Sequence, residues 1–535
     1  MDQLISANYD KHTKIWSGTK MEPLHNIEHH SVGRILYGQM RNYPNKIIQI
    51  DDIENKSLTN REALTWAIRI AQHFKKMRLS YDDVVGIAAR NTTYLMPVAV
   101  GCFLNSVPFH AVSPMYDEKS LAHCFGITKP GIIFCDGSDY EKIRLATKSF
   151  RPLIYTVSEH IEGVASVLDL LQPTKTEFFY QPEKLSLGSD QTVAILCSSG
   201  TTGLPKAVTI SVNKLMFENP EDVLYTASGL DWMSGLMIMI FSCYSGCTRI
   251  ISRKPFTPEY FIELTGKYKI TNATLAPSHV VALTQCPNFT IENMATIKIL
   301  QCGGGCITTK TLEKTQNILP RALICFGYGF TEAGGVSGYF GLERGNSVGK
   351  LVPNIRLRIQ DEQGNSLGPN EVGEIQVHYP YHWAGYYGNP IETQRMRDSL
   401  GWFHSGDLGY MDKDGFLYII DRKKEICKYL SEHYWPSEIE NCIRELNDVI
   451  DCCVVGVYDE YYGDVAGALV IRAKGSLLKE QDVVEHVKNR LKARQKQLHN
   501  GVVFVDELPQ NFNGKIVKRE AKELFIKLKN LNSTK

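Results

Sequence analysis

The sequence predicts an α/β fold with a large N-terminal domain followed by a small α+β domain. The chain has 535 residues, more than one hydrophobic core usually organises, so two or three domains are expected. In the first half, continuous apolar runs at 84–89 and 131–135 indicate strands buried on both faces, alternating with helical patterns. From about residue 421 the pattern changes to a self-contained unit of about a hundred residues, the size of a small domain.

A helix is predicted over residues 62–77 of the first half. Its large apolar residues fall on one stripe at helical spacing. The stripe consists of Trp66, Ala67, Ile70, Ala71 and Phe74. Such a stripe indicates a helix packed against a sheet or a second helix.

The C-terminal unit is predicted to mix helices and strands. The predicted elements are helices beginning at Pro436 and spanning 483–491, and strands at 452–457, 468–471 and 502–505. The charged run DRKKE at 421–425 follows a strand-like stretch at 416–420. We interpret this run as a linker or hinge, and the pattern alone fits a charged surface turn equally well.

Composition excludes several classes of protein. Lys and Arg number 59 and Asp and Glu number 58, a balance that argues against a general binder of nucleic acid or membrane surfaces. The 14 cysteines show no paired spacing typical of zinc sites, which favours buried, reduced thiols. There is no apolar signal core at the N-terminus and no apolar stretch of about 18 residues, so no transmembrane segment is expected. We expect a cytoplasmic protein, and the chain does not end in the peroxisomal signal Ser-Lys-Leu.

A loop suited to phosphate follows an apolar strand at 193–197. Residues 198–206 read SSGTTGLPK and precede a second β-rich run. Small and hydroxyl residues allow N–H and O–H groups to converge on phosphate oxygens, and Lys206 adds a positive charge. A Walker P-loop instead needs Gly-Lys-Ser/Thr leading into a helix, so the loop does not indicate a kinase or GTPase.

Together with four further motifs, this loop resembles the signature of the acyl-adenylate-forming, or AMP-binding, enzyme superfamily. The motifs are YGFTE at 328–332, GWFHSGD at 401–407, DRKKE at 421–425 and NGK at 513–515. They occur in the order found in the superfamily, and the resemblance covers roughly residues 30–525. Within the superfamily, the sequence is most similar to insect luciferase-like and 4-coumarate–CoA-ligase-like acyl-CoA synthetases.

The resemblance implies a fold and a set of substrates. Residues 1–421 would form a multi-sheet adenylation domain, and residues 422–535 a small mobile lid domain. The expected activity is that of an AMP-forming acyl-CoA synthetase that uses ATP, Mg²⁺ and CoA and activates a fatty or aryl carboxylic acid. A monomer or weak homo-oligomer that does not bind nucleic acid is expected.

The resemblance also implies a role for each matching residue. The phosphates of ATP would be held by Ser198, Ser199, Gly200, Thr201, Thr202, Gly203 and Lys206. Tyr328 would pack on adenine, beside Gly304 and Gly305, and Asp407 with Arg422 would hold the ribose. The implied catalytic residues are Thr331 at the α-phosphate, Glu332 at Mg²⁺, Lys515 in adenylation and Lys428 in thioester formation. The implied acyl pocket consists of Trp232, Gly303 and Phe330.

These residue types suit the implied chemistry. Attack of a carboxylate on the α-phosphate brings two anions together, so positioning and charge neutralisation must lower the barrier. No general base is required because the carboxylate is already ionised near neutral pH.

Four positions depart from the pattern. Trp232 stands where beetle luciferases have the second His of His-His-Gly-Phe, so it either lines an acyl tunnel or is a core residue on a helix. Ala207 replaces the usual glycine after Pro-Lys. Ser431 replaces a glycine beside which the arm of CoA normally passes, with the bulky Trp435 nearby. Adenylation is therefore better supported than transfer to CoA.

Three alternatives stay open. One is a luciferase-like monooxygenase, against which Trp232 argues. Another is an adenylating enzyme with a different acceptor, such as a separate carrier protein. The last is a non-catalytic binding protein that kept the fold.

Overall fold

The computed structural model describes residues 5–22, 31–187, 191–198, 205–210, 219–340, 344–379, 383–430, 432–510 and 515–533. The helices are α1 (Val32–Asn42), α2 (Asn60–Lys76), α3 (Leu95–Leu104), α4 (Glu118–Thr128), α5 (Tyr140–Ala146), α6 (Met233–Ser245), α7 (Pro258–Tyr268), α8 (Pro277–Leu283), α9 (Thr309–Ile318), α10 (Pro390–Met396), α11 (Pro436–Ile443), α12 (Glu480–Arg490) and α13 (Lys518–Ser533). Within these ranges, no helix has both the length and the apolar character needed to cross a membrane.

The strands fall into an N-terminal and a C-terminal group. The N-terminal strands are β1 (Asn8–Asp10), β2 (Ile15–Ser17), β3 (Ile47–Asp51), β4 (Lys56–Thr59), β5 (Val85–Ala88), β6 (Phe109–Ala111), β7 (Ile132–Asp136), β8 (Leu153–Ser158), β9 (Ala194–Ser198), β10 (Lys206–Ile210), β11 (Val223–Thr226), β12 (Thr248–Ile251), β13 (Asn272–Leu275), β14 (Ile299–Gly303), β15 (Leu323–Phe330), β16 (Gly334–Phe340), β17 (Lys350–Leu351), β18 (Arg356–Gln360), β19 (Gly373–His378), β20 (Trp402–Met411) and β21 (Leu417–Arg422). The C-terminal strands are β22 (Cys427–Tyr429), β23 (Glu432–Tyr434), β24 (Val449–Asp459), β25 (Gly463–Arg472) and β26 (Val502–Phe504).

Three sheets build the N-terminal part. One has nine strands in the order β17-β16-β15-β14-β13-β11-β12-β3-β4, and the others have six strands each, ordered β10-β9-β6-β5-β7-β8 and β1-β2-β18-β19-β20-β21. In the nine-stranded sheet, β3 and β11 to β15 run parallel to one another. The carboxyl ends of parallel strands meet at one edge, which is where ligand sites form in open α/β sheets.

The helix predicted over 62–77 is α2, and its start has a clear local cause. Thr59 and Glu62 form a capping box, in which each side chain accepts a hydrogen bond from the backbone N–H of the other residue. The apolar stripe then packs against α3. Because α3 is buried along its whole length, its sequence is apolar on every side.

The small domain is a five-stranded sheet between two layers of helices. In β24, Cys452 and Val454 face the core that contains α11 and α12. Their neighbours Cys453 and Val455 face α13 on the other side. This alternation follows from the two-residue period of a strand and explains why adjacent cysteines do not meet.

The structure confirms the α/β fold class with a large N-terminal and a smaller C-terminal domain. The predicted strands correspond to β5, β7, β24, β25 and β26, and the predicted helices of the small domain to α11 and α12. All 14 cysteines carry free thiols. The charged run at 421–425 includes the end of β21 and a short 3-10 turn.

Candidate active site

A cavity of about 2740 Å³ lies at the carboxyl ends of β13, β14 and β15 and extends to the small domain. From the N-terminal domain, Gly303, Tyr328 and Asp407 line it. From the small domain, Glu440 and Lys515 line it. Motifs that are far apart in the sequence therefore meet around one cleft.

Asp407 is the central buried carboxylate of this cleft, with 4% of its surface exposed. The hydroxyl of Tyr328 donates to Oδ2 at 2.5 Å, and Arg422 Nε lies 3.1 Å from Oδ1. Burial raises the pKa of Asp407, while the Arg422 charge and the Tyr328 hydrogen bond oppose the rise. Both carboxylate oxygens are thus held in fixed directions.

The local chain explains how Asp407 reaches this position. Asp407 of β20 stands opposite Arg422 of β21 in register. Just before it, Gly406 has φ +69°, a conformation that favours glycine. Ser405 Oγ accepts from the backbone N–H of Asp407 at 3.1 Å and donates to the carbonyl of Ile375 at 2.6 Å. The Ser-Gly-Asp part of the motif is therefore a turn that aims one carboxylate.

Lys515 faces the same group of charges from the small domain. Burial lowers its pKa most, followed by the Arg422 charge, and Glu425 and Asp407 act in the opposite direction. Lys518 Nζ lies 2.7 Å from Glu425 Oε2, which ties the start of α13 to the charged run. Lys515 is thus placed near Asp407 and Arg422, the residues implied to hold the ribose.

Lys428 is placed differently from Lys515. It is exposed on β22, and its backbone N–H donates to Asp464 Oδ2 at 3.0 Å. Of the two lysines, Lys515 lines the cavity. Ser431, which follows the same strand, lies outside the described residues.

The described part of the phosphate loop consists of its two ends. Ser198, the last residue of β9, and Lys206, the first of β10, both line the cavity. These two residues are cross-strand partners in an antiparallel pair, so they lie side by side. Ser199, Gly200, Thr201, Thr202 and Gly203 lie outside the described residues.

Lys206 belongs to a network of four side chains. Its Nζ lies 2.6 Å from Glu392 Oε2 and 5.0 Å from the ring centre of Tyr386. The Tyr386 hydroxyl donates to Glu332 Oε1 at 2.6 Å. Burial raises the pKa of Tyr386, and the Glu332 carboxylate raises it further, so the phenol stays a donor. The predicted lysine and the predicted metal carboxylate are therefore linked through Tyr386.

Glu332 fits the requirement of a magnesium ion. Mg²⁺ prefers oxygen ligands and is often held by one or two carboxylates together with substrate phosphates. Glu332 is a carboxylate at the cavity wall, oriented by Tyr386. Thr331, beside it in the chain, also lines the cavity.

The glycine run and Phe330 form another part of the wall. Gly303 ends β14, and a Cβ there would lie 3.3 Å from the carbonyl oxygen of Gly327. Gly304 has φ +88°, and a Cβ on Gly305 would stand 3.5 Å from Pro277 Cγ. Phe330 packs edge-on against Phe403 at 6.3 Å between ring centres. The small residues leave an apolar surface open to a ligand.

Trp232 immediately precedes α6, is half-buried and lines the cavity. Its neighbour Asp231 has a pKa raised to about 6, mainly by burial, against hydrogen bonds from the Ser113 and Trp232 side chains. The position suits either a pocket residue or a structural one that orients Asp231.

The sequence did not predict three further side chains: Tyr386 and Glu392, which line the cavity, and Asp231, which precedes Trp232. The first two come from the segment around α10, where no motif was found. Glu392 follows Pro390 and Asn389, a helix-start signal that predicts a helix but not a cavity. Asp231 directly precedes Trp232, and only the burial of its carboxyl group in the structure distinguishes it from a surface carboxylate.

Comparison with known proteins identifies the family. Residues 36–387 match the AMP-binding enzyme family, and residues 438–515 match the AMP-binding enzyme C-terminal domain. The chain therefore belongs to the AMP-binding enzyme family, as its motifs predict. It is an enzyme of the adenylate-forming superfamily.

Individual relatives divide between two activities. The chain is 28% identical to the luciferin 4-monooxygenase of Photinus pyralis, over 95% of this chain and 96% of that protein. It is also 28% identical to 4-coumarate–CoA ligase 3 of Oryza sativa subsp. japonica, over 88% of each. The fold is similar to that of ATP-bound MatB from Rhodopseudomonas palustris, with a TM-score of 0.82 and 24% identity over 93% of this chain and 99% of MatB.

Proposed function

We propose that this protein is an ATP-dependent acid–thiol ligase. It activates a fatty or aryl carboxylic acid as an acyl-adenylate and transfers the acyl group to CoA. The observation that carries the proposal is the meeting of Asp407, Arg422 and Lys515 in one cleft, with Lys515 contributed by the other domain.

Nucleotide binding follows from the buried carboxylate. Asp407 accepts hydrogen bonds from the ribose hydroxyls, and the Arg422 charge opposes the rise in the pKa of Asp407 that burial causes. The ring of Tyr328 packs on adenine beside Gly304 and Gly305. The Tyr328 hydroxyl is already bonded to Asp407, so the ribose shares or replaces that bond.

Phosphate binding uses Lys206, Ser198 and the loop between them. Lys206 is paired with Glu392, so ATP binding draws the ammonium group from that carboxylate toward phosphate. Thr331 donates to the α-phosphate. Glu332 would hold Mg²⁺, which supplies charge neutralisation at the phosphates when bound.

In the first half-reaction, a substrate carboxylate oxygen attacks the α-phosphorus. A new P–O bond forms, the bond to the β-phosphate oxygen breaks, and pyrophosphate leaves. Lys515, which lines the cavity, would offset the repulsion between carboxylate and phosphate with its positive charge. Trp232, Gly303 and Phe330 hold the apolar part of the acid.

In the second half-reaction, the thiol of CoA loses its proton to solvent and its sulfur attacks the acyl carbon. A C–S bond forms, the bond from the acyl carbon to the phosphate oxygen breaks, and AMP leaves. Lys428 assists this step. Lys428 is exposed in this arrangement while Lys515 lines the cavity, and this difference supports a rotation of the small domain between the two steps. We propose residues 1–421 and 422–535 as the two domains, with the charged run at 421–425 as the hinge.

Pyrophosphate exchange tests the first step. Wild-type protein is assayed for ATP–pyrophosphate exchange with a panel of fatty and aryl acids, and Lys515→Ala serves as the inactive control. The active acids are then assayed for thioester with and without CoA. Absence of exchange with every class of acid would refute the adenylation step.

A second candidate is a luciferase-like monooxygenase, favoured by the 28% identity to a luciferin 4-monooxygenase. Trp232 argues against it. Light emission or oxygen uptake with adenylated luciferin would establish this activity, and thioester formation without either would exclude it.

A further inference from the structure

One face of the sheet β1-β2-β18-β19-β20-β21 carries a concentration of positive side chains. Arg356 of β18 pairs in register with His378 of β19, which pairs with Trp402 of β20. Two residues along each strand, the next row consists of Arg358, Gln376 and His404. Residues two apart on a strand share a face, so both rows lie on the same side of the sheet.

The cations gather around Trp402, which is itself buried. Arg358 Cζ lies 4.3 Å and Arg356 Cζ 5.6 Å from the centre of its ring. The ring of His378 is 5.4 Å away in a T-shaped arrangement. The positively charged side chains therefore pack against the ring of Trp402.

Arg397 joins this group from the end of α10. The Cβ position of Gly401 lies 3.2 Å from His378 Nε2 and 3.4 Å from Arg397 Nη2. The imidazole and the guanidinium are therefore within reach of one small ligand. We call Arg356, Arg358, His378, Arg397 and Trp402 the arginine face.

The arginine face has too little negative charge of its own. Within the described ranges, Asp398 is the only carboxylate recorded beside its guanidinium groups. Oδ1 of Asp398 accepts the N–H groups of Leu400 and Trp402, each at 2.9 Å. Its Oδ2 is 3.7 Å from Arg358 Nη2. This carboxylate, whose Oδ1 fixes a turn, lies beside two of the three guanidinium groups, those of Arg358 and Arg397.

Burial makes this excess of positive charge unfavourable. Desolvation lowers the pKa of Arg358 and Arg397, and it lowers the pKa of His378 with help from the neighbouring arginines. Nδ1 of His378 is buried without a hydrogen-bond partner among the described residues. An anion bound at this face would relieve the repulsion.

We propose that the arginine face is a binding site for a phosphate group. Three guanidinium charges against one carboxylate leave an excess that a phosphate dianion neutralises and a carboxylate ligand only halves. The planar fork of arginine also matches the spacing of phosphate oxygens. Arg356 is exposed and Arg397 half-buried, so a ligand has access. Two sources share this chemistry: inorganic phosphate and a phosphate ester such as the 3′-phosphate of CoA.

Calorimetric titration tests the site. Inorganic phosphate is titrated into wild type, the double variant Arg356→Ala/Arg397→Ala, and the control Arg61→Ala, an exposed arginine on α2. AMP is present at saturation throughout to occupy the nucleotide part of the cleft. We expect the double variant to bind phosphate at least tenfold more weakly, with the control unchanged. ATP–pyrophosphate exchange should be preserved in both.

Comparison of CoA with dephospho-CoA then identifies the source. Tighter binding of CoA that disappears in the double variant assigns the site to the ester, and equal binding assigns it to free phosphate. If the double variant does not fold, Arg356→Ala alone removes an exposed side chain and should weaken binding about threefold. Unchanged phosphate affinity in a folded variant, or an equal loss in Arg61→Ala, would overturn the proposal.

Discussion

At the scale of single residues, Asp407 is a buried carboxylate whose two oxygens are held by neighbouring side chains. Burial raises the pKa of Asp407, and the Arg422 guanidinium, 3.1 Å away, offsets part of that rise. Tyr328 fixes the other oxygen. Burying a carboxylate destabilises a fold, so a buried carboxylate held by two directed partners is found most often at functional sites.

Replacing Asp407 by Ala should weaken ATP binding and slow both half-reactions. Loss of two hydrogen bonds to a charged group should cost about 2–4 kcal/mol after solvent replacement. That corresponds to roughly a 30- to 700-fold loss of ATP affinity. Titration of ATP into the variant measures it, with Asp407→Asn as the matched control of equal size. An affinity within twofold of wild type would remove Asp407 from the nucleotide site.

Trp232→Ala should change which acids are accepted more than it changes ATP affinity. The half-buried indole lines the cavity, so its removal should admit longer or bulkier acids. Exchange assays over a homologous series of acids, with the ATP KM measured in parallel, provide the test. A variant with reduced stability and the same acid preference would show that Trp232 is a structural residue.

Asp231 should make stability depend on pH. Its pKa is raised from 3.8 to about 6, so the fold favours the protonated carboxyl. This contribution is complete below the unfolded pKa and is lost as the pH rises through 6. Asp231→Asn cannot ionise, so it should gain about 1–3 kcal/mol relative to wild type between pH 4 and pH 8. Urea unfolding of both proteins at the two pH values measures the gain, and a constant difference would contradict it.

At the scale of elements, the small domain depends on close contact between a strand and a helix. A Cβ on Gly467 of β25 would lie 2.3 Å from Phe525 Cζ of α13. Phe525 is 1% exposed and belongs to the core on that face of the sheet. The absence of a side chain at Gly467 is what lets the ring lie against the strand.

Gly467→Ala should therefore destabilise the small domain by about 1–3 kcal/mol through overpacking. The matched control is Gly126→Ala in α4, where a Cβ meets nothing within 4 Å. That control should be neutral or slightly stabilising because alanine favours helix. Thermal unfolding of both variants checks the prediction, and equal melting temperatures would show that α13 can shift without cost.

At the scale of the whole molecule, two lysines of one small domain occupy different environments. Lys515 faces Asp407 and Arg422 across the cleft, and Lys428 is exposed on β22. Lys310 of the N-terminal domain donates to the side chain of Asn447 in the small domain. In the proposed function, this arrangement corresponds to the first half-reaction.

Lys515→Ala should strongly reduce adenylate formation, by several kcal/mol of transition-state stabilisation, while still forming thioester from supplied acyl-adenylate. Lys428→Ala should spare pyrophosphate exchange and slow thioester formation. Each variant is measured in both half-reactions, so each serves as the control for the other. Equal loss of both activities in both variants would contradict a rotating domain.

Local pattern was sufficient for much of the secondary structure. The apolar stripe that predicts α2, and the apolar runs that predict β5 and β7, are local patterns that show which side chains are buried. The α/β class and the separate small domain follow from the same signals. The family could also be predicted from the sequence, because five motifs occur together in the order typical of that family.

Only the tertiary structure decided which side chains meet. The pairing of β12 with β3, and of Lys206 with Glu392, joins segments separated by well over a hundred residues. Tyr386 and Glu332 lie 54 residues apart, and the arginine face brings together residues of three strands and the end of α10. Periodicity in a sequence indicates whether a residue is buried, but it does not identify the residues that it packs against. Strand order and interdomain packing determine the partners, and they depend on contacts distributed over the whole chain.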